Sequence, residues 1–266
     1  MKNGFACLLT LALFLQPFSC PAQSGPLLVD QNGDGLVVFM AFGDSITYGL
    51  GDGIAPGAQV DALPIPPRPI GYPDRIEGLA GVQVDNLSVP GEGFIASGID
   101  RLPGALRSSA ADLVILMEGA NDAWQRVDPG SYERNLQKAL NIIIASGKAA
   151  LLLTLPPPCE NHSGSRMFTD PYTSKIRELA VLNEVQLSDL EKTWRTTCDN
   201  LEHCQLYNLP DGLHPNSLGY DAIAQTVLAT LYGIDIFSAQ GAAELESALG
   251  LEAGSVVVKP DPAAQS

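Results

Sequence analysis

The sequence predicts an α/β fold: a three-layer sandwich in which a mainly parallel, five-stranded sheet lies between two layers of helices. Its 266 residues are enough for one sizeable domain with its own core. Short aliphatic runs alternate with segments of helical periodicity along most of this length. Continuous aliphatic runs are typical of parallel strands buried on both faces, and their alternation with helices indicates right-handed βαβ crossovers.

Composition divides the chain into four segments, of which one carries the fold. They are a signal peptide at 1–22, a polar lead-in at 23–35, one α/β domain at 36–232 and a peripheral C-terminal extension at 233–266. Within the extension, Leu245, Leu249 and Leu251 predict one short helix. The end of the chain from Lys259 onward is expected to be disordered.

Residues 1–22 have the features of a secretory signal peptide. Lys2 supplies a positive charge, residues 5–15 an apolar stretch, and Cys20-Pro21-Ala22 a small-residue cleavage site. The apolar stretch is too short to cross a bilayer as a helix, and no later segment is long enough, so no stable membrane insertion is expected. The sequence therefore predicts a secreted or periplasmic protein, with a lipid anchor on Cys20 as the alternative.

The charge balance excludes one class of partner. The chain has 30 acidic and 15 basic residues, which give a formal net charge of −15. A field of this sign repels phosphate backbones and anionic membrane surfaces at long range. We therefore expect no nucleic-acid partner, whereas a neutral substrate is unaffected.

Three cysteines remain after the predicted signal peptide: Cys159, Cys198 and Cys204. An oxidising compartment permits a disulfide, and three single pairings are possible. Pairing of Cys198 with Cys204 closes the shortest loop and is favoured.

Two patterns resemble metal sites, and in both cases another interpretation is favoured. His203 beside Cys204 lacks the ligand spacing of a zinc site, so a disulfide is preferred. Residues 30–35 place oxygen ligands at alternate positions, as in the first half of a calcium loop. However, Ala41 stands where such a loop needs a bidentate glutamate. A turn before the first strand is the better interpretation.

Periodicity predicts five strands and four helices. The predicted strands are 36–42, 82–87, 113–117, 149–155 and 205–209. The predicted helices are 74–79, 132–146, 175–194 and one through residues 223–231. The loops that leave the carboxyl ends of parallel strands share one edge of the sheet, where ligands bind.

Two proline-rich loops are expected at this edge. They cover residues 51–73 and 156–171. In residues 51–73, proline at this density prevents helix and favours a semi-rigid loop. This loop is interpreted either as a wall of a substrate cleft or as a plain covering loop. In the second loop, Pro156, Pro157 and Pro158 end the fourth strand.

Polar residues and glycines follow three of the predicted strands. Ser45 lies in a tight turn after the first strand, where its hydroxyl is exposed and its N–H lies at the positive end of a helix. Gly91 follows the second strand and offers an unshielded N–H. Asn121 follows the third strand, and its amide can donate to an oxyanion. The alternatives are a common Gly-Asp-Ser turn, a turn glycine and a turn cap.

The last loop supplies an acid and a base. Asp211 and His214 lie three residues apart, so the carboxylate can hold the Nδ1–H of the imidazole and leave Nε2 free. Pro215 stiffens the loop at this point. His162 and His203 are the alternative bases. His162 has no acid at a suitable spacing, and His203 precedes a predicted strand.

In combination, these motifs resemble those of the GDSL, or SGNH, hydrolases. They are Gly43-Asp44-Ser45-Ile46, Asn86…Gly91, Gly119-x-Asn121-Asp122 and Asp211-x-x-His214-Pro215, in the order that the family has. The resemblance spans roughly residues 36–232. Ile46 replaces the leucine of the first motif, and Gly93 is a rival to Gly91 in the second. The resemblance implies a flavodoxin-like SGNH hydrolase fold.

The resemblance also implies a mechanism that needs no metal or organic cofactor. Ser45 would attack an ester carbonyl, His214 would take its proton, and Asp211 would orient His214. The N–H groups of Ser45 and Gly91 and the amide of Asn121 would hold the oxyanion. Water would then hydrolyse an acyl-enzyme. The neighbouring Asp44 and Asp122 are expected to shape their turns rather than react.

Several substrates agree with this mechanism. The expected substrate is a carboxylic ester with a small or medium acyl group, either a small molecule or borne on a polymer. Acetylated polysaccharide and lysophospholipid are the alternatives. From a different class, the fold could be a catalytically silent module that binds glycan or lipid. A binding module has no need of Ser45, Asp211, His214 and Asn121 together, which favours the enzyme.

Overall fold

The computed structural model describes residues 28–54 and 70–265. The predicted signal peptide, the start of the lead-in and the possible anchor at Cys20 lie outside the described residues. So do residues 55–69, which form most of the first proline-rich loop.

Five parallel strands form one sheet in the order β2-β1-β3-β4-β5. They are β1 (Val38–Gly43), β2 (Gln83–Asn86), β3 (Leu113–Met117), β4 (Ala149–Leu153) and β5 (Gln186–Ser188). This is the flavodoxin-like order. The prediction of a parallel, five-stranded α/β sandwich is confirmed.

Helices flank the sheet in two groups. They are α1 (Ser45–Tyr48), α2 (Tyr72–Ala80), α3 (Ile99–Ser108), α4 (Ala120–Trp124), α5 (Pro129–Ala145), α6 (Arg166–Leu182), α7 (Leu190–Thr197), α8 (Ser217–Tyr232) and α9 (Ala239–Leu249). Helix α8 packs against α2 and α7, whereas α5 packs against α3 and α6. Short π- and 3₁₀-helices at Phe94–Gly98 and Glu160–Ser165 complete the loops that bear on the site.

The core lies around the two central strands. Every residue of β1 and β3 is buried, because helices cover both faces of the sheet at these strands. Burial of one large aliphatic side chain stabilises the fold by roughly 1.5–3 kcal/mol. Helix α8 is also buried over most of its surface, with Tyr220, Ile223 and Leu231 inaccessible to solvent. It is therefore a rigid support for the loop before it.

The site edge follows from the strand order. The chain leaves β1 towards β2 on one side, and β3 lies on the other side of β1. Loops after β1 and β3 therefore diverge and leave a crevice at the carboxyl ends of these strands. Gly43 pairs with Met117, so the two strands end level with one another. The residues after them, which include Ser45 and Asn121, flank this crevice.

The predictions for the fifth strand and for a helix at 175–194 are wrong. Helix α6 already begins at Arg166, within the predicted loop 156–171, and contains Pro171, so the second half of that loop prediction is also wrong. The helix ends at Leu182, β5 follows, and α7 starts after Asp189, whose carboxylate accepts the N–H of Lys192. The helical spacing of the leucines continues across this break only by coincidence. Leu182, for example, is 73% exposed and does not belong to a buried stripe. Residues 205–209 lie in turns, with one antiparallel bridge between Tyr207 and Pro215.

The C-terminal extension packs more closely than expected. The predicted short helix is present as α9, and Leu245 and Val258 are buried. The expected disorder from Lys259 differs from the structure, which is ordered as far as residue 265. The N–H of Lys259 donates to Thr197 Oγ1, and residues Pro262–Gln265 form a 3₁₀-helix.

Two local predictions are confirmed. Cys198 and Cys204 form a disulfide with a Cα–Cα distance of 5.2 Å, and Cys159 is free and buried. Residues 30–35 form a turn in which Asp30 accepts the N–H groups of Gly33 and Gly35 at 2.6 and 2.8 Å. Both oxygens of this carboxylate therefore bond to the backbone of their own turn.

Among residues 28–54 and 70–265, no helix has both the length and the apolarity that a membrane span requires.

Candidate active site

Ser45 starts the one-turn helix α1 directly after β1. It is only 6% exposed, so it is more buried than the expected exposed hydroxyl. The Asp44 carboxylate accepts the Ile46 N–H at 2.9 Å and caps this turn. Only glycine fits two residues before Ser45, because a β-carbon on Gly43 would lie 2.0 Å from Thr47 Oγ1. The Gly-Asp-Ser motif therefore fixes the place of the serine. Asp44 shapes the turn, as expected.

A buried side chain holds the loop with His214 against the loop after Ser45. Asn208 is 5% exposed, and its amide nitrogen donates to the carbonyl oxygens of Gly51, His214 and Pro215 at 3.0, 3.2 and 3.0 Å. Asn216 then caps α8 by accepting the N–H of Gly219 at 3.1 Å. The His214 backbone is therefore fixed on both sides. No local sequence pattern indicates this role of Asn208.

Ser45, His214 and Asp211 form one hydrogen-bonded chain. Ser45 Oγ lies 3.0 Å from His214 Nε2, and His214 Nδ1 lies 3.1 Å from Asp211 Oδ2. The same carboxylate oxygen accepts the N–H groups of Leu213 and His214 at 3.0 and 2.7 Å. Burial raises the pKa of Asp211, but its bonds to His214 and the charge of His214 outweigh this, and the pKa is lowered. The arrangement can move a proton from the serine hydroxyl to the imidazole.

Gly91 lies in a β-turn next to Asn121. The Glu92 N–H bonds to the Val89 carbonyl at 3.1 Å, with Pro90 and Gly91 between them and φ at Gly91 of 77°. These are the features of a type II turn, which needs glycine at its third position. Within the described part of the chain, the Gly91 N–H has no acceptor, and the Ser45 N–H has none either.

The amide of Asn121 joins the two loops that precede it. Its nitrogen donates to the Glu92 carbonyl oxygen at 2.8 Å and, over a longer distance of 3.3 Å, to Asp44 Oδ2. The amide is therefore placed between the turn of Ser45 and the turn of Gly91. Its second N–H makes the weaker of the two bonds.

Asp122 fixes the segment that follows Gly93. Its carboxylate accepts the N–H groups of Phe94 and Ile95 at 2.7 and 3.0 Å, at the start of the π-helix. It is buried and has a structural role, as expected. Gly93, the rival of Gly91, is the buried residue immediately before this helix.

Two buried glutamates behind these loops were not predicted. The Glu92 carboxylate forms a salt bridge with Arg101, whose guanidinium also donates to the Leu87 carbonyl at 2.6 Å. Within the described residues, no N–H or O–H donor reaches either oxygen of Glu118. Burial, the charges of Asp44 and Glu92 and a hydrogen bond with Glu92 raise the pKa of Glu118 well above its usual value. The raised pKa favours the protonated form of the Glu118 carboxyl group.

The alternative histidines have different surroundings. His203 is exposed and pairs with Glu160. His162 Nδ1 lies 2.7 Å from the carbonyl oxygen of Asp211 and 3.6 Å from its Oδ1. Neither replaces His214 beside Ser45. In the described part of the chain, no group of His, Cys, Asp and Glu residues comes together in a way that could hold a metal ion.

Comparison with known proteins agrees with these motifs. A family model described as the GDSL-like lipase/acylhydrolase family matches residues 41–222. The chain belongs to this family. It is 31% identical over 188 residues to an arylesterase of Vibrio mimicus, in a match that covers 68% of this chain and 86% of the relative. This member of the GDSL-like family is therefore a carboxylic ester hydrolase.

Solved structures share the fold. A lipase/acylhydrolase from Enterococcus faecalis is 21% identical, with a TM-score of 0.57 over 74% of this chain and 96% of that one. A catalytic mutant of an acetylxylan esterase from Geobacillus stearothermophilus is 18% identical, with a TM-score of 0.57 over 73% of this chain and 94% of that one. At these identities, the likeness concerns the fold alone.

Proposed function

We propose that this GDSL-family protein is a secreted serine esterase that acts through Ser45, His214 and Asp211. The observation that carries the proposal is the hydrogen-bonded chain from Ser45 Oγ through both nitrogens of His214 to Asp211 Oδ2. A nucleophile, a base and an orienting acid in this geometry are what acyl transfer needs.

In the first step, Ser45 Oγ forms a bond to the ester carbonyl carbon while His214 Nε2 takes the hydroxyl proton. The tetrahedral intermediate then collapses, the carbon–oxygen bond to the alcohol breaks, and His214 returns the proton to the leaving alkoxide. Water attacks the acyl-enzyme in the same way, releases the acid and restores the serine. Asp211 stays ionised and stabilises the imidazolium in both steps.

The N–H groups of Ser45 and Gly91 and the amide of Asn121 are the proposed oxyanion donors. The two backbone N–H groups have no acceptor among the described residues, which leaves them available. The second N–H of Asn121 makes only a 3.3 Å bond to Asp44, so a developing oxyanion can compete for it. Removal of one such donor typically costs about 3–4 kcal/mol of transition-state stabilisation.

The substrate that we favour is a carboxylic ester with a small or medium acyl group. Among these esters, we favour those of aryl alcohols. Trp124 is 54% exposed at the end of α4, one turn after Asn121, and offers an aromatic surface beside the site. The similarity to an arylesterase points in the same direction. Acetylated polysaccharide and lysophospholipid remain the alternatives that a substrate panel separates.

Secretion is the second part of the proposal. Residues 1–22 carry the signal-peptide pattern, and the disulfide between Cys198 and Cys204 supports an oxidising compartment.

The test is hydrolysis of p-nitrophenyl esters of increasing acyl length, with acetylated xylan and a lysophospholipid in the same panel. Ser45→Ala should lower kcat by roughly 10⁴-fold or more, with nearly unchanged thermal stability. Ser174→Ala, at an exposed position on α6, is the matched control and should retain full activity. An active Ser45→Ala variant refutes the nucleophile, and an inert wild type that still retains glycan or lipid supports the binding module.

A further inference from the structure

The segment from Cys159 to His162 holds the loop of Asp211 through hydrogen bonds to three consecutive carbonyl groups of that loop, those of residues 210–212. The Cys159 N–H donates to the Gly212 carbonyl at 2.8 Å, and the Asn161 N–H donates to the Pro210 carbonyl at 3.3 Å. His162 Nδ1 completes the set at 2.7 Å from the carbonyl of Asp211 itself. One side chain and two backbone groups therefore fix the backbone on which the proposed acid is carried.

The hydrogen-bond partner of His162 determines its tautomer. A carbonyl oxygen can only accept, so the proton of the neutral imidazole is on Nδ1. The same Nδ1 atom lies 3.6 Å from Asp211 Oδ1. Because Oδ2 receives the three N–H groups of the His214 side, the carboxylate lies between two imidazoles.

The His162 ring is itself held in place. Its backbone N–H donates to the Cys159 carbonyl at 2.9 Å, and its carbonyl accepts the Ser165 hydroxyl at 2.8 Å. The indole of Trp124 packs against the ring at an angle of 57°, with the two ring centroids 4.9 Å apart. The imidazole is 22% exposed. It is thus an ordered donor and not a mobile surface side chain.

We propose that His162 is a positioning residue for Asp211. Through its Nδ1–H it fixes the backbone of Asp211 and faces Oδ1, so that Oδ2 is directed at His214. This inference rests on the proposed function of Asp211. It assigns His162 no contact with the substrate.

The test compares two nearly isosteric replacements. His162→Asn keeps an N–H donor close to the position of Nδ1, whereas His162→Leu removes the donor. We expect His162→Leu to lower kcat by about 10- to 100-fold, the effect of a small misplacement in an oriented site, with KM within about twofold of wild type. We expect His162→Asn to retain kcat within about threefold. His203→Leu is the control, because that histidine is exposed, and it should match wild type.

A third variant separates the donor from the ring. His162→Phe keeps an aromatic ring against Trp124 but cannot donate, so its kcat should fall as in His162→Leu. It also replaces the leucine variant if that variant does not fold, as shown by its thermal unfolding.

The inference is overturned if the donor-free variants keep wild-type kcat, or if His162→Asn is as slow as they are. Ser45→Ala in the same assay separates this outcome from failure of the proposed function. An active Ser45→Ala variant refutes the triad as a whole. An inactive Ser45→Ala variant with fully active donor-free variants refutes the role of His162 alone.

Discussion

The carboxyl group of Asp44 should make the stability of the fold depend on pH. This side chain is 2% exposed beneath Ser45, and burial raises its pKa from 3.8 to about 6. The N–H of Ile46 and the charge of His214 act in the opposite direction but do not cancel the effect of burial. A difference of about 2 pKa units between the unfolded and folded chain corresponds to about 3 kcal/mol.

Proton binding determines whether the free energy of unfolding rises or falls with pH. Between pH 4 and pH 6 the folded protein retains the Asp44 proton that the unfolded chain has lost, so the free energy of unfolding falls as pH rises. The contribution is fully present below about pH 4 and lost above about pH 6. Asp44→Asn cannot ionise, and its amide oxygen can still accept the Ile46 N–H, so this fall should be absent from the variant.

The assay is urea unfolding of wild type and Asp44→Asn at pH 4, 5, 6 and 7. The free energy of unfolding of wild type, less that of the variant, should decrease by about 2.5 kcal/mol from pH 4 to pH 7, because about 0.5 kcal/mol of the full contribution of about 3 kcal/mol is already lost at pH 4. Other groups titrate in both proteins, so the difference isolates Asp44 and its coupling to its neighbours. Asp100→Asn is the control, because Asp100 is 81% exposed.

The predicted effect of Asp44 is refuted if the difference in unfolding free energy between wild type and Asp44→Asn stays constant within about 0.5 kcal/mol from pH 4 to pH 7. This is the usual scatter of surface substitutions. In that case either the carboxyl group is solvated in the folded protein or its burial penalty is balanced by its hydrogen bonds.

Two further predictions concern a glycine next to Asp211 and the disulfide. A β-carbon on Gly212 would lie 2.3 Å from the Cys159 carbonyl oxygen, so Gly212→Ala should lower both kcat and the free energy of unfolding, the latter by about 2 kcal/mol or more. Gly147→Ala has similar backbone strain without a contact, and should keep wild-type kcat in ester hydrolysis. Replacing Cys198 and Cys204 together by serine opens a short loop and should lower the free energy of unfolding in urea by about 2 kcal/mol. No loss of stability in the alanine variant at 212, or in the double serine variant, would contradict these expectations.

Much of the site could be predicted because it follows directly from strand ends. The apolar run of β1 ends at a glycine, and Ser45 follows two residues later, at the edge where the loops after β1 and β3 leave a crevice. Asp211 and His214 were predictable for a second reason, since a three-residue spacing lets their side chains meet within one loop.

The supports of the site could not be predicted, because they depend on contacts between distant parts of the chain. Asn208 bonds to Gly51, which is 157 positions away, and His162 bonds to Asp211 from 49 positions away. Nothing in the local sequence of Glu118 distinguishes a buried carboxyl group from a polar residue at the end of a strand. These roles appear only when the sheet brings the loops together.

The error in the fifth strand has a local cause. Leucine spacing alone favoured a continuous helix, but the signals that end α6 and start α7 were present at Asn183 and Asp189. Asn183 caps α6, with its N–H on the Leu179 carbonyl, and Asp189 caps α7. Capping residues would therefore have placed the break correctly. The three residues of β5 would still have given little periodicity, because the strand is so short and two of its residues are half-buried.

The buried carboxyl groups connect the stability of this enzyme to its proposed chemistry. Asp44 fixes the turn of Ser45, Asp122 fixes the segment after Gly93, and the Glu92 carboxylate binds Arg101, whose guanidinium also donates to the Leu87 carbonyl. Burial of acidic groups opposes folding, as the raised pKa of Asp44 and Glu118 indicates. A fold selected for stability alone would place apolar side chains here. The same groups instead order three loops around one crevice. We infer that they are retained, although they lower the stability of the fold, because they orient the proposed oxyanion donors.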